Sequence, residues 1–155
     1  YENSRDNART PMQWTDDENA GFTDGMPWLA MNPNYRQINV REQEARTDSV
    51  LVYYRRLVHL RKADAYRETF TYGIFEPAYQ EMADVFAYYR VSGESGQRIL
   101  VAANFGTDAV SLPLAYSCRQ VLLSNLRAES AVETACEKAN ALTLESCEVA
   151  VIELG

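Results

Sequence analysis

The sequence is poor in the residues that most often build a catalytic or metal centre. Its single histidine, His59, has no serine, cysteine or aspartate partner at a motif spacing, so we expect a structural histidine. Three cysteines, Cys118, Cys136 and Cys147, are an odd number and lack the paired spacing of zinc sites. We therefore predict inert, buried thiols in a reducing compartment, a cytoplasmic location, and neither a metal nor a cofactor.

Long apolar runs and an excess of positive charge are absent as well. No stretch approaches the ~20 apolar residues of a transmembrane helix, and no signal peptide is visible. Fifteen Lys and Arg residues against 22 Asp and Glu residues give a net charge of −7, without a large basic cluster. This balance argues against nucleic acid and anionic membranes as partners, and a neutral ligand fits it better.

The chain does contain an unusual polar stretch near its start, Ser4–Trp14. It combines two arginines, a carboxylate, an amide and an indole around one proline, and it fits neither helical nor strand periodicity. We therefore predict an ordered loop. Charged donors beside a flat apolar ring suit a polyhydroxylated ligand, because they supply strong hydrogen bonds and a stacking surface. The stretch points to sugar recognition.

This stretch resembles the loop after the eighth barrel strand in exo-acting α-glucosidases of the α-amylase clan, which includes oligo-1,6-glucosidases, dextran glucosidases and sucrose isomerases. The resemblance continues at family spacing through Asn19–Thr23, Pro27–Trp28, Asn32–Tyr35, Ile38–Val40, Asp48–Val50, Tyr53–Arg55 and Leu60–Lys62. Several rare residues in order are more specific than any one short motif. Beyond residue 64 the resemblance weakens to three strand-like anchors: Val85–Tyr88, Ala103–Phe105 and Glu148–Leu154.

The resemblance implies a chain that is only part of an enzyme. Enzymes of this clan are several times longer, and this chain opens at Tyr1, so we expect a carboxyl-terminal fragment. Retaining glycosidases need two facing carboxyl groups about 5 to 5.5 Å apart. In the resembled family these groups, and an Asn-His-Asp motif, come from earlier barrel strands. We expect no catalytic residue here and no hydrolysis by the fragment, whereas the parent would cleave short isomalto-oligosaccharides with retention.

The resemblance also assigns a substrate contact. Arg5 resembles the arginine that, with an aspartate from the barrel, binds a hydroxyl of the non-reducing-end glucose, so we expect substrate binding by Arg5 in the intact parent. A structural ion pair is the alternative. For Asp6 and Arg9 we expect structural roles, because a charged loop must satisfy its own backbone groups. Trp14 and Trp28 are expected to be core residues more than sugar platforms.

The chain divides into two predicted domains, an incomplete barrel end at residues 1–64 and a β-domain at residues 65–155. Val40–Arg46 predicts a short helix. Residues 48–64 predict a longer one, capped by Asp48, with an apolar stripe at i, i+3 and i+4 spacing formed by Val50, Tyr53, Tyr54, Leu57 and Leu60. The missing catalytic barrel of the same polypeptide is the partner expected to cover this stripe. Without it, we expect the stripe to fold back or the chain to self-associate.

From residue 67 onward the apolar period becomes two, which predicts strands. Val85–Val91 and Ile99–Phe105 form a predicted hairpin, and further strands are expected near Leu112, Gln120–Leu123, Leu142–Leu144 and Val149–Leu154. Residues 126–139 fit either one helical turn or a long loop. The expected fold class is therefore mainly β: an antiparallel β-sandwich preceded by the last loop and helix of a (β/α)8 barrel.

Two alternatives to a hydrolase remain open. The parent could be a sucrose isomerase, another transglucosylase or a trehalose-phosphate hydrolase of the same fold. The sandwich could instead be an autonomous carbohydrate-binding module, for which a row of exposed, coplanar aromatic rings on one sheet face would be the sign. For Tyr72, Tyr79, Tyr88 and Tyr89 we expect packing, since alternating aromatics in strands usually pack.

Overall fold

A computed structural model describes residues 5–127 and 140–155. The chain forms two compact units, Tyr1–Arg55 and Arg56–Gly155. The first consists mainly of loops with three 3₁₀ turns, followed by helix α1 (Val40–Ala45) and the start of helix α2 (Val50–Lys62). Among the described residues, no helix is both long and apolar enough to cross a bilayer.

Helices α1 and α2 confirm the two helical predictions, but the cap of α2 is not the predicted one. The Ser49 hydroxyl accepts a hydrogen bond from the Val52 amide at 3.2 Å and donates one to the Gln43 carbonyl. Asp48 is occupied by a bidentate ion pair with Arg46 at 3.0 and 3.1 Å. The cap therefore lies one residue later than predicted, because the neighbouring arginine competes for the carboxylate.

The second unit contains helix α3 and seven strands. The elements are α3 (Arg67–Tyr72), β1 (Ile74–Ala78), β2 (Val85–Val91), β3 (Arg98–Asn104), β4 (Val110–Pro113), β5 (Cys118–Ser124), β6 (Ala141–Leu144) and β7 (Val149–Leu154). Five strands form an antiparallel sheet in the order β1-β2-β3-β7-β5, and β4 pairs with β6. This arrangement confirms the predicted β-domain and its β2–β3 hairpin.

The core lies between the two sheets. Alternation along each strand directs every second side chain to one face. The inner face of the large sheet contributes Leu100 and Ile152, and the small sheet contributes Leu112 and Leu144, all fully buried. Burial of one such side chain stabilises a fold by about 1.5 to 3 kcal/mol. We call the opposite face of the large sheet the outer face.

A buried ion pair fastens the turn between β6 and β7. Glu148 is fully buried and accepts hydrogen bonds from Arg127 Nε at 2.6 Å, the Ser124 hydroxyl at 2.8 Å and the Glu145 amide at 2.9 Å. Burial raises the pKa of Glu148, but these hydrogen bonds and the charge of Arg127 outweigh it, so the pKa lies below its ordinary value. The carboxylate is therefore ionised near neutral pH and is held in a single position.

Asn104 performs a similar task at the end of β3. Its amide nitrogen donates to the carbonyls of Asp108 at 2.8 Å and Glu145 at 2.9 Å, while its oxygen accepts from the Gly106 amide at 2.9 Å. The side chain is buried, and it joins two loops that are far apart in sequence. Asn104 therefore closes one end of the sandwich.

Several expectations fail in this unit. Residues 67–72 form a helix where strands were expected, and β1 was not predicted. Cys118 is disulfide-bonded and Cys147 is a free, exposed thiol, so the prediction of inert, buried thiols is wrong for both. Neither sequence spacing nor hydrophobicity reveals which strand end brings a sulfur to a partner. Cys136 and most of residues 126–139 lie outside the described residues.

Candidate functional site

The polar stretch near the start of the chain is held by backbone pairing to the beginning of α1. Residues Arg5–Ala8 form a 3₁₀ turn, and the following segment is extended. The Val40 amide donates to the Gln13 carbonyl at 2.9 Å, and the Arg41 amide donates to the Trp14 carbonyl at 3.0 Å. Two successive bonds of this kind fix the path of the chain, which agrees with the prediction of an ordered loop.

Two amide side chains reinforce this pairing. Gln13 donates to the side-chain oxygen of Asn34 at 3.0 Å and to the Ile38 carbonyl. Asn39 is buried and caps α1, because its side-chain oxygen accepts from the Glu42 amide at 2.9 Å. The Asn-Pro-Asn and Ile-Asn-Val motifs are therefore explained by local structure, since each supplies an amide that holds the loop.

A left-handed turn explains the Asn-Ala-Gly motif. Asn19, Ala20 and Gly21 all have positive φ, at 52°, 55° and 65°. A Cβ at Gly21 would lie 2.6 Å from the Thr15 hydroxyl oxygen, so only glycine fits there. The Ala20 carbonyl accepts from the amides of Trp14 and Thr15 at 2.9 and 3.0 Å. This turn thus supports the loop from its other side.

The acidic residues beside the loop are engaged in ion pairs. Arg41 binds Asp16 and Asp17, each at 2.8 Å, and its side chain is 55% exposed. A hydrogen bond from the Thr15 hydroxyl and the charge and hydrogen bond of Arg41 lower the pKa of Asp17 below its ordinary value. Both aspartates act as paired surface groups, consistent with the prediction that this acidic run is a solvated turn.

An open groove of about 560 Å³ lies along the loop. Its walls are formed by loop residues 10–13, by residues 38–40 and 43, and by Val50, Leu51 and Tyr54 of α2. Met12, Ile38, Val50 and Tyr54 are exposed there. A lining of this kind lacks facing carboxylates and suits protein packing better than acid–base chemistry on a glucoside.

The structure places the predicted site residues as follows. Arg5 begins the 3₁₀ turn, and its side chain lies outside the described part of the chain, so its role stays a prediction. Arg9 is exposed. Trp14 and Trp28 are exposed as well, so the expectation that both are core residues is wrong for this chain. His59 is exposed on α2, as a structural surface residue would be.

The tyrosines of the sandwich divide into two groups. Tyr79 and Tyr89 pack against the core, and the Tyr79 hydroxyl donates to the Pro113 carbonyl at 2.7 Å. Burial is the main cause that raises the pKa of Tyr79 far above its ordinary value. Tyr72 is exposed, so packing was the wrong expectation for it. Within residues 5–127 and 140–155, no group of three His, Cys, Asp or Glu side chains could hold a metal ion.

Comparison with known proteins defines the class. Residues 1–73 match the family model of the α-amylase catalytic domain. This match, with the barrel-end loop and the antiparallel sandwich, shows that the chain belongs to the α-amylase family and corresponds to a carboxyl-terminal portion of its enzymes.

The relatives are mainly enzymes that act on α-glucosides. The chain is 40% identical over 134 residues to an oligo-1,6-glucosidase of Bacillus cereus, covering 84% of this chain and 23% of that protein. It is 41% identical over 129 residues to a glucan 1,6-α-glucosidase of Streptococcus pneumoniae, covering 83% of this chain and 23% of that protein. The crystal structure of an isomaltulose synthase from Klebsiella sp. LX3 superposes with a TM-score of 0.83 at 35% identity, covering 98% of this chain and 26% of that one. The chain thus spans about a quarter of the length of these relatives.

Proposed function

We propose that this chain completes the catalytic barrel, the pocket rim and the bracing β-domain of a retaining α-glucosidase that acts on short isomalto-oligosaccharides. The observation that carries this proposal is the 40 to 41% identity to two 1,6-glucosidases over more than four-fifths of the chain. The rigid path of the loop supports it, because the bonds from Val40 and Arg41 would hold pocket-rim residues in one position.

The chain is not expected to catalyse hydrolysis alone. The acids beside its loop, Asp16 and Asp17, are bound by Arg41 and lie on the surface. We assign the nucleophile and the general acid to the part of the enzyme that the relatives carry in addition. Incubation of the 155-residue chain with an aryl α-glucoside and with isomaltose should give no turnover. Activity that copurifies with the chain through a second column would contradict this assignment.

The intact enzyme tests the activity itself. We expect hydrolysis of isomaltose and isomaltotriose, with the α-anomer released first, as observed by NMR during the initial turnovers. A same-fold isomerase is the second candidate, favoured by the superposition on isomaltulose synthase. Chromatography of a sucrose reaction separates the two, because the isomerase would form an isomeric disaccharide whereas the hydrolase would release glucose.

Arg5 is the proposed substrate contact. A hydrogen bond from a charged donor contributes about 1.5 to 3 kcal/mol, so Arg5→Ala in the intact enzyme should lower kcat/KM by about 10- to 200-fold. Arg5→Lys should not restore activity, because an ammonium cannot offer two fixed donors. Arg9→Ala is the control and should reduce thermal stability more than specific activity. The assignment is wrong if Arg5→Ala keeps the parent kcat/KM while Arg9→Ala loses it at an unchanged melting temperature.

The partners and the location follow from the same proposal. The remaining barrel is the partner of the chain, and an oligosaccharide is the ligand of the assembled enzyme. Separated from that barrel, the chain should self-associate, because Val50 and Tyr54 expose apolar surface on α2. Light scattering across a concentration series measures this. A cytoplasmic location remains part of the proposal, although the disulfide at Cys118 is more typical of an oxidising compartment.

A further inference from the structure

The outer face of the large sheet carries a row of aromatic side chains. Strand register places Phe75 opposite Arg90 and Phe86 opposite Ala103, on the face away from the core residue Ala87. Tyr88 lies between the two phenylalanines, with ring centroids 4.9 Å from Phe75 and 5.8 Å from Phe86. Phe105 continues the alternation of β3 and pairs through its amide with the Asp84 carbonyl at 2.8 Å. We call Phe75, Phe86, Tyr88 and Phe105 the aromatic patch.

One part of the outer face is already covered. Ile99 and Val151 lie on this face by register and are fully buried or nearly so. Arg90 donates to the Thr69 and Phe70 carbonyls at 3.4 and 3.2 Å, which brings the end of α3 against the face.

A polar network holds the same region in place. Glu153 is almost buried and accepts hydrogen bonds from Gln97 at 3.0 Å and Gln120 at 2.9 Å, and the Tyr66 hydroxyl lies 3.5 Å from its carboxylate. Tyr66, Thr69 and Phe70 fall within residues 1–73, which match the catalytic domain. Catalytic-domain residues therefore cover part of the outer face.

The aromatic patch is the part that stays in water. Phe75 is 50% exposed, Phe86 is 56% exposed and Phe105 is 73% exposed. An antiparallel sheet that faces solvent normally presents polar side chains there, whereas contiguous exposed aromatics mark a contact surface. The rings are tilted by 32° and 63° with respect to Tyr88, so they do not form the flat platform on which a pyranose would stack.

We propose that the aromatic patch is the surface through which the β-domain docks on an apolar surface of the catalytic barrel outside this chain. The argument is continuity: catalytic-domain residues 66–70 already cover the adjoining area, and the relatives carry about three-quarters of their length beyond the matched region. The inference rests on the proposed function in that it needs a parent barrel, but it needs no particular substrate.

Hydroxyl-radical footprinting tests the docking directly. The oxidation rates of Phe75, Phe86 and Phe105 are compared between the 155-residue chain and the intact enzyme. We expect them to be at least about fivefold lower in the intact enzyme, because a docked ring is withdrawn from water. Leu126 follows β5 at the opposite edge of the sheet and is 56% exposed, and its rate should be the same in both proteins.

A matched pair of variants supplies the second measurement. Phe75→Ser/Phe86→Ser should leave the melting temperature of the 155-residue chain within about 2 °C, since both rings are half exposed there, and should lower that of the intact enzyme by 5 °C or more. Leu126→Ser should change neither. Equal ring oxidation in the two proteins, or equal melting shifts, would overturn the inference.

The other occupants of the patch give different results. Protection that appears in the 155-residue chain only as its concentration rises would identify a second copy. Protection of that chain by isomaltotriose would identify a sugar site. Either result overturns barrel docking. An intact enzyme that acts on another glucoside while protecting the rings would refute the proposed activity alone, whereas hydrolysis of isomaltose with unprotected rings would refute the docking alone.

Discussion

Replacement of Arg127 by alanine should strongly destabilise the sandwich. In the folded chain Arg127 donates to Glu148 through Nε at 2.6 Å and Nη2 at 3.1 Å, and only 20% of the arginine side chain is exposed. Without Arg127, the fully buried carboxylate keeps only the Ser124 hydroxyl and the Glu145 amide as donors. A buried charge is thereby left without its counter-charge.

The expected magnitude follows from this burial. Removal of one partner of a buried ion pair destabilises a protein by about 3 to 5 kcal/mol. In a chain of this size 1 kcal/mol shifts the melting temperature by about 2 to 4 °C, so Arg127→Ala should lower it by about 6 to 20 °C. Arg41→Ala is the control, because its ion pairs with Asp16 and Asp17 are exposed and should contribute about 1 kcal/mol or less.

Urea denaturation and thermal melts of the 155-residue chain measure both effects. The double variant Arg127→Met/Glu148→Leu should recover much of the loss, because an apolar pair leaves no unpaired charge in the interior. Equal effects of Arg127→Ala and Arg41→Ala would refute the reasoning, since burial would then make no difference to the value of the pair.

The pH dependence of Glu148 has a defined sign. The folded-state pKa of Glu148 is depressed, so its contribution to stability is complete above the unfolded pKa of about 4.3 and is lost as pH falls through the folded pKa. The stability difference between the parent chain and Glu148→Gln should therefore be largest near pH 7 and shrink below about pH 4. A difference that grows on acidification, measured by urea titration at each pH, would show that the pKa is raised instead.

Two further substitutions test local contacts. Ser49→Ala should destabilise the chain by about 0.5 to 2 kcal/mol through the lost cap on the Val52 amide, whereas Asp48→Ala should have little effect; circular dichroism melts in which Asp48→Ala is the more harmful change would restore the predicted cap. Asn104→Ala should destabilise the chain by about 1 to 3 kcal/mol in urea titrations, because buried carbonyls lose their donor, and a change below 0.5 kcal/mol would contradict its role at the end of β3.

Periodicity was sufficient to predict the long elements. The stripe of α2 and the alternation in β2 and β3 are strong local signals, and both elements form where expected. Helix α3 was missed because Thr69, Phe70 and Tyr72 favour strands, and the six-residue helix depends on packing, including the hydrogen bond from Thr69 to Gln97. Strand β1 was missed because Pro77 is a poor strand residue, and it is accommodated at the edge of the sheet.

Contacts between distant residues could not be predicted. Glu148 appears in the sequence as part of a strand anchor, and only the fold brings Ser124 and Arg127 to it. Exposure is similarly non-local. Trp14 and Trp28 have the size and hydrophobicity of core residues, but nothing in a short segment states which surface will meet each ring. The loop could be recognised from its residues, whereas its support by Val40 and Arg41 required the structure.

The two edges of the large sheet have a consequence for solubility. Strand β1 carries Pro77, which cannot donate to a further strand, and the pairing of β5 with β7 is interrupted by two register shifts, between Cys118 and Gln120 and between Val121 and Leu123. Prolines and bulges at sheet edges oppose the addition of strands from other molecules. While the polypeptide is being synthesised and matured, neither end of the sheet offers a regular template for amyloid-like growth, so any misassembly of this domain should proceed through side-chain surfaces.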